Sequence, residues 1–230
     1  MIPYKDDNPV SIVPYFTICI IALNVMVFIW ELASPTGAEE IAYSFGAIPH
    51  SLITFERLQP IHPAASIFTA MFLHAGFFHL GGNMLYLWIF GNNIEDRLGH
   101  LRFLLFYLMG GIAAAYAHTL TAPDSTVPMI GASGAVSAVL GAYILLFPRA
   151  RVYTIMFFGF FYQILRVPAL IVIGFWAIIQ LVNGLLTSGA AGAKGGVAWA
   201  AHIGGFVFGV LVIRIFMIGR RRPRSGSSLP

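Results

Sequence analysis

The stretch Gly131-Ala132-Ser133-Gly134-Ala135-Val136-Ser137-Ala138-Val139-Leu140-Gly141-Ala142-Tyr143 decides how this chain is read. It opens an apolar segment, yet its first turn is almost all small residues around one hydroxyl. With no bulk beside it, the Ser133 oxygen is open to the close approach of another backbone. In the first turn of a helix, unpaired N–H groups and the positive end of the dipole would lie next to that oxygen, ready to stabilise an anion. Ser137 and Gly141 follow at i+4 and i+8 and extend a narrow small-residue face. Membrane helices also use such faces simply to pack closely. Taken alone, the stretch leaves packing and chemistry both open.

Composition sets the solvent. The chain has 230 residues, 58% hydrophobic and 10% charged, with a mean hydropathy of +0.82. Soluble domains carry about 25% charged residues, so a polytopic membrane protein is expected. The net charge of +4 does not point to nucleic acid, because the basic residues sit at the ends of apolar segments. One cysteine, Cys19, excludes an intramolecular disulfide. Lys5, Asp6 and Asp7 precede an apolar run too long for a signal-peptide core, so no cleaved leader is expected.

Six apolar spans are expected, at residues 15–32, 77–94, 101–120, 131–147, 168–186 and 197–218. Residues 33–73 mix Pro35, Pro49, Pro60 and Pro63 with short apolar pieces, which predicts a long interfacial loop with small amphipathic helices. Residues 1–14 form an N-terminal segment, 15–218 the membrane domain, and 219–230 a basic tail expected to be disordered. With the N-terminus inside, only Arg57 and Lys194 of the basic residues lie outside, so both termini are expected in the cytoplasm.

Charged span ends serve as a depth ruler at 1.5 Å per residue. Ser133 lies 16 residues before Arg149, about 24 Å. His202 lies 18 before Arg220, His79 18 before Arg97, and Asn83 14 before it, or about 27, 27 and 21 Å. In a hydrocarbon core of about 30 Å, all four fall just beneath the outer boundary. Ala201, Gly205 and Gly209 give the sixth span its own small-residue face, so it can approach the fourth closely and bring His202 towards Ser133. His79 and Asn83 share a face at i, i+4. Each polar residue also has a plainer reading, as interhelical glue or as the lining of a channel. His74 reads as structural. No HExxH is present, and an interval of five separates His74 from His79 on a helix, so no metal site is expected.

Together the pieces resemble the rhomboid intramembrane serine proteases. The resemblance rests on Gly131-Ala132-Ser133-Gly134, on Ala201-His202-Ile203-Gly204-Gly205 with Gly209, on His79-Leu80-Gly81-Gly82-Asn83, and on Glu95-Asp96-Arg97. It implies an all-α, six-helix membrane bundle and a serine endopeptidase without cofactor. Its substrates would be transmembrane proteins cut in or beside their spans. It also implies a Ser133–His202 dyad, with His79, Asn83 and the Ser133 N–H as anion-stabilising donors. Gly131, Gly134, Gly205 and Gly209 would give structural support, and Glu95 with Arg97 would brace the cytoplasmic end. The expected membrane is a prokaryotic cell membrane. Some members place a tyrosine one turn after the nucleophile to stack on the histidine; here that position is Ser137. No Asp or Glu sits at the depth of His202, so no third, acidic member is expected. A non-proteolytic rhomboid-like binder of membrane helices and a channel or transporter stay as rivals.

Overall fold

The structure, a computed structural model, describes residues 1–159, 161–188 and 199–219. The chain is mostly helical. Three described helices are long and apolar enough to cross a membrane: α1 (Tyr15–Ala33), α7 (His100–Thr121) and α10 (Trp199–Phe216). Between α1 and α7 come α2 (Ala38–Phe45), α3 (Pro49–Thr54), α4 (Pro63–Ala70), α5 (Phe77–Tyr86) and α6 (Asn92–Leu98). A π-helical turn, Leu87–Gly91, joins α5 to α6 with helical dihedrals on both sides, so residues 77–98 run as one rod. The remaining helices are α8 (Ser133–Leu146) and α9 (Ala169–Ser188). Of the expected tail, residues 220–230 lie outside the described residues, as does most of the loop expected after the fifth span.

The helices are turned with polar residues inward. On α1, Thr17, Asn24 and Glu31 recur every seven residues and are buried, while Ile18, Val25, Met26, Ile29 and Leu32 are exposed. In water that pattern would be inside out; in lipid it keeps ionisable and amide groups on the protein side. Phe90, Phe103, Phe106, Tyr107, Leu140 and Tyr143 fill the centre of the bundle.

Glycine sets the spacing of α7, α8 and α10. A Cβ on Gly205 would stand 2.1 Å from the Gly134 carbonyl oxygen, and one on Gly209 2.0 Å from that of Ala138. In the other direction, a Cβ on Gly141 would stand 2.2 Å from the Phe206 carbonyl oxygen. The backbones of α8 and α10 therefore touch at three points over about two turns, which is the contact that small-xxx-small faces allow.

The all-α expectation needs one correction. β1 (Ile2–Asp6), β2 (Arg151–Phe158) and β3 (Phe161–Pro168) form an antiparallel sheet in the order β1-β2-β3. Asp6 lies opposite Val152, Arg151 opposite Pro168, and Phe158 opposite Phe161. The two runs around Gly159 are dense in Val, Tyr, Thr, Ile and Phe, which suit a pleated surface. Gly159 turns the hairpin at φ 63.

Candidate active site

Ser133 begins α8, and the first hydrogen bond of that helix runs from the Val136 N–H to the Ala132 carbonyl. The N–H groups of the first turn therefore have no partner within the helix. Only 14 residues long, α8 spans about 21 Å. That is shorter than a hydrocarbon core of ~30 Å. The chain before Ser133 is held by the 33–73 segment. Ala47 and Met129 exchange two backbone hydrogen bonds, of 2.9 and 2.8 Å, and the Gly131 N–H reaches the Ala70 carbonyl at 2.8 Å. Gly131 itself has φ 121, a conformation that favours glycine.

His202, on the first turn of α10, places its Nε2 2.6 Å from the Ser133 hydroxyl oxygen. Ser133, His202, His79 and Asn83 all line one cavity of about 790 Å3. A Cβ on Gly131 would stand 2.8 Å from the His79 Nε2 and 3.6 Å from the Ser133 Oγ, so that imidazole edge lies close to the serine. The Ala75 N–H donates to the His79 Nδ1 at 3.4 Å. Nδ1 is then an acceptor, and the ring proton sits on Nε2. The structure thus brings all four expected polar side chains to one cavity.

Ser137, at the position where some rhomboid members carry a stacking tyrosine, turns its hydroxyl back to the Ser133 carbonyl at 2.6 Å. The aromatic against His202 comes instead from α9, where the Trp176 ring centroid lies 5.8 Å from the imidazole, tilted by 50°. Sequence spacing gave no signal for Trp176, because it sits on a different helix. His74 is likewise nearer the site than expected. Its ring meets the His79 ring edge-on at 5.0 Å, and its Nε2 lies 3.0 Å from the Asn83 Nδ2. His74 lies in the loop before α5, off the helix, so helical faces do not keep its ring apart from that of His79.

At the other end of the bundle, Glu95 and Arg97 do not pair with each other. Glu95 accepts from the Phe16 and Thr17 N–H groups, from the Thr17 hydroxyl and from the His100 Nδ1. It therefore caps α1. The Arg97 guanidinium lies 5.6 Å from the Phe147 ring centroid.

Comparison with known proteins fits these pieces. The family model described as Rhomboid domain matches residues 63–219. The chain is 34% identical over 150 residues to rhomboid protein 1, mitochondrial, of Saccharomyces cerevisiae, covering 64% of this chain and 40% of that protein. It is 37% identical over 130 residues to the rhomboid protease GluP of Bacillus subtilis, 56% of this chain and 24% of that one. Against the RHOMBOID-like protein 1 of Arabidopsis thaliana it is 30% identical over 182 residues, 79% and 40% of the two chains. The match thus spans less than half the length of each of these relatives. On the family match, which takes in Ser133, His202, His79 and Asn83, this chain belongs to the rhomboid family.

Proposed function

We propose that the protein is an intramembrane serine endopeptidase that cuts peptide bonds in or beside the transmembrane segments of other proteins. The observation that carries this reading is the 2.6 Å contact between the His202 Nε2 and the Ser133 Oγ. With Nε2 unprotonated, His202 takes the hydroxyl proton as Ser133 attacks the substrate carbonyl, then gives it to the departing amine. Water opens the acyl-enzyme in the second half, again with His202 as base. The developing oxyanion takes hydrogen bonds from the His79 Nε2–H, the Asn83 amide and the Ser133 N–H. Trp176 packs the imidazole from the side.

In this reading the chain crosses the membrane six times, with 77–98, α8 and α9 as the crossings besides α1, α7 and α10. Both termini lie in the cytoplasm, and Ser133 lies below the outer surface. The substrates are transmembrane proteins whose helix is locally unwound at the scissile bond. The relatives compared include mitochondrial and bacterial proteins by name, so they lend no support to a prokaryotic cell membrane in particular. The test is to treat the detergent-solubilised protein with a fluorophosphonate probe. Ser133 should be labelled and Ser133→Ala should not; equal labelling of the two would remove the nucleophile from the reading.

A further inference from the structure

We infer that His74 is a positioning residue that sets the direction of the Asn83 amide and, through Glu31, ties the anion-stabilising donors to α1. The inference rests on the proposed role of Asn83.

The His74 ring has one arrangement that satisfies its neighbours. Its Nδ1 lies 3.2 Å from the Phe72 carbonyl oxygen. A carbonyl only accepts, so Nδ1 carries the proton and Nε2 is left with a lone pair. The group 3.0 Å from that lone pair must donate, and it is the Asn83 Nδ2. With the amide reversed, two acceptors would face each other at that distance inside a buried contact, which is costly. His74 and Asn83 are 1% and 8% exposed, so water does not relieve the mismatch. One hydrogen of the Asn83 nitrogen is thus committed to His74, and the other is left for the cavity that Asn83 lines. A reversed amide would instead offer its oxygen to a developing oxyanion and repel it.

The turn that carries His74 is itself fixed. Both carboxylate oxygens of Glu31, buried on α1, accept from the His74 N–H at 3.2 Å. The next N–H, that of Ala75, donates to the His79 Nδ1 and so directs the other imidazole proton. The edge-on contact between the His74 and His79 rings completes the unit. One turn, residues 72–75, therefore governs two of the three proposed donors.

The test uses the full chain and a reporter transmembrane substrate, with kcat and KM measured for Asn83→Ala, His74→Phe, His74→Gln, His74→Asn and the double variant His74→Phe/Asn83→Ala. Asn83→Ala should lose ~10²-fold in kcat. His74→Phe should lose ~10- to 10²-fold in kcat with KM held within ~2-fold, as expected of an interaction made in the transition state. The double variant should be no slower than Asn83→Ala beyond ~2-fold, because the two act as one unit. His74→Gln, whose side-chain oxygen reaches the place of Nε2, should recover most of the loss, and the shorter His74→Asn should not. Should His74→Phe fail to fold, the Gln and Asn variants carry the comparison. Multiplying losses in the double variant, or equal rates for Gln and Asn, would overturn the role of His74. An Asn83→Ala variant at the wild-type rate would overturn the role of Asn83, and this inference with it.

Discussion

The two ends of α8 treat buried polar groups in opposite ways. At the C-terminal end a buried polar network is closely paired. The Asp6 carboxylate accepts from the Tyr143 hydroxyl at 2.7 Å and from the Asn93 amide at 2.8 Å, and the Asn8 amide donates to the same hydroxyl at 2.6 Å. Nearby, Glu95 takes four donors. At the N-terminal end, Ser133, His79 and Asn83 line a cavity, and in the proposed reading the Ser133 N–H, the His79 Nε2–H and one Asn83 hydrogen are donors kept for the reaction. A saturated network makes a rigid brace. Donors held in place and left facing a cavity stabilise charge that appears only during a reaction. The difference supports the proposed division of the helix into a structural end and a chemical one.

Breaking the chemical end should have the largest effect. Ser133→Ala and His202→Ala should each lower cleavage of a reporter transmembrane substrate by at least ~10⁴-fold, as for members of other serine dyads and triads. Insertion and thermal stability should stay close to wild type. Turnover of either variant within tenfold of wild type would show that the 2.6 Å contact is not the reacting pair.

The close contact that joins α10 to α8 should come next. Gly205→Leu must push against the Gly134 backbone, one residue from Ser133, and backbone cannot swing aside. A shift of ~1 Å between His202 and Ser133 costs ~10²-fold in rate. Gly174→Ala on α9, where nothing stands within 4 Å of the new Cβ, should leave kcat within ~2-fold. Equal rates for the two would mean that the helix contact does not position the histidine.

At the braced end, loss should appear in stability with rate unchanged. Glu95→Gln leaves one acceptor oxygen for donors that now include two N–H groups of the α1 first turn and a hydroxyl. An unsatisfied buried group costs roughly 1–3 kcal/mol. The melting temperature should fall by several degrees, while kcat at 25 °C stays within ~2-fold. A large fall in kcat at unchanged melting temperature would place Glu95 in the chemistry, against the division drawn between the two ends.

What the sequence made legible follows from what each inference needed. Apolar runs locate helices because lipid leaves the backbone few other choices. The depth ruler rests on a straight helix, which converts residue count into height. It put Ser133 and His202 at one level, and the small faces of their helices gave the direction of approach. It had no purchase on relations outside a helix. His74 was judged by a helical face it does not possess, Trp176 approaches from a helix whose rotation no spacing reveals, and Glu95 answers α1, not its neighbour Arg97. The hairpin at 151–168 is masked in the sequence for another reason. Its Val, Tyr, Ile and Phe run straight into the apolar fifth span, and only Gly159 marks the turn.

The smallest effect expected lies in adjacent carboxylates on the braced side. Burial raises the Asp6 carboxyl above its ordinary 3.8, although the hydrogen bonds from Tyr143 and Asn8 oppose it. For Asp7, slight burial acts upward as well, but the Arg151 N–H and the Arg166 guanidinium outweigh it and hold the group below 3.8. The signs then differ. Asp7 adds stability that is present above pH 3.8 and is lost as pH falls through its lowered value. Asp6 holds its proton more tightly folded than unfolded, so it removes stability as pH rises from 3.8 through its raised value. Asp6→Asn keeps an oxygen for Tyr143 and Asn93 but cannot ionise. Its melting temperature relative to wild type should therefore improve between pH 4 and pH 7, while Asp7→Asn should be less stable than wild type by about the same amount at both. A difference for Asp6→Asn that stays flat over that range would mean that the buried carboxylate is as easily ionised in the folded protein as in the unfolded chain. The hydrogen bonds around it would then offset its burial in full.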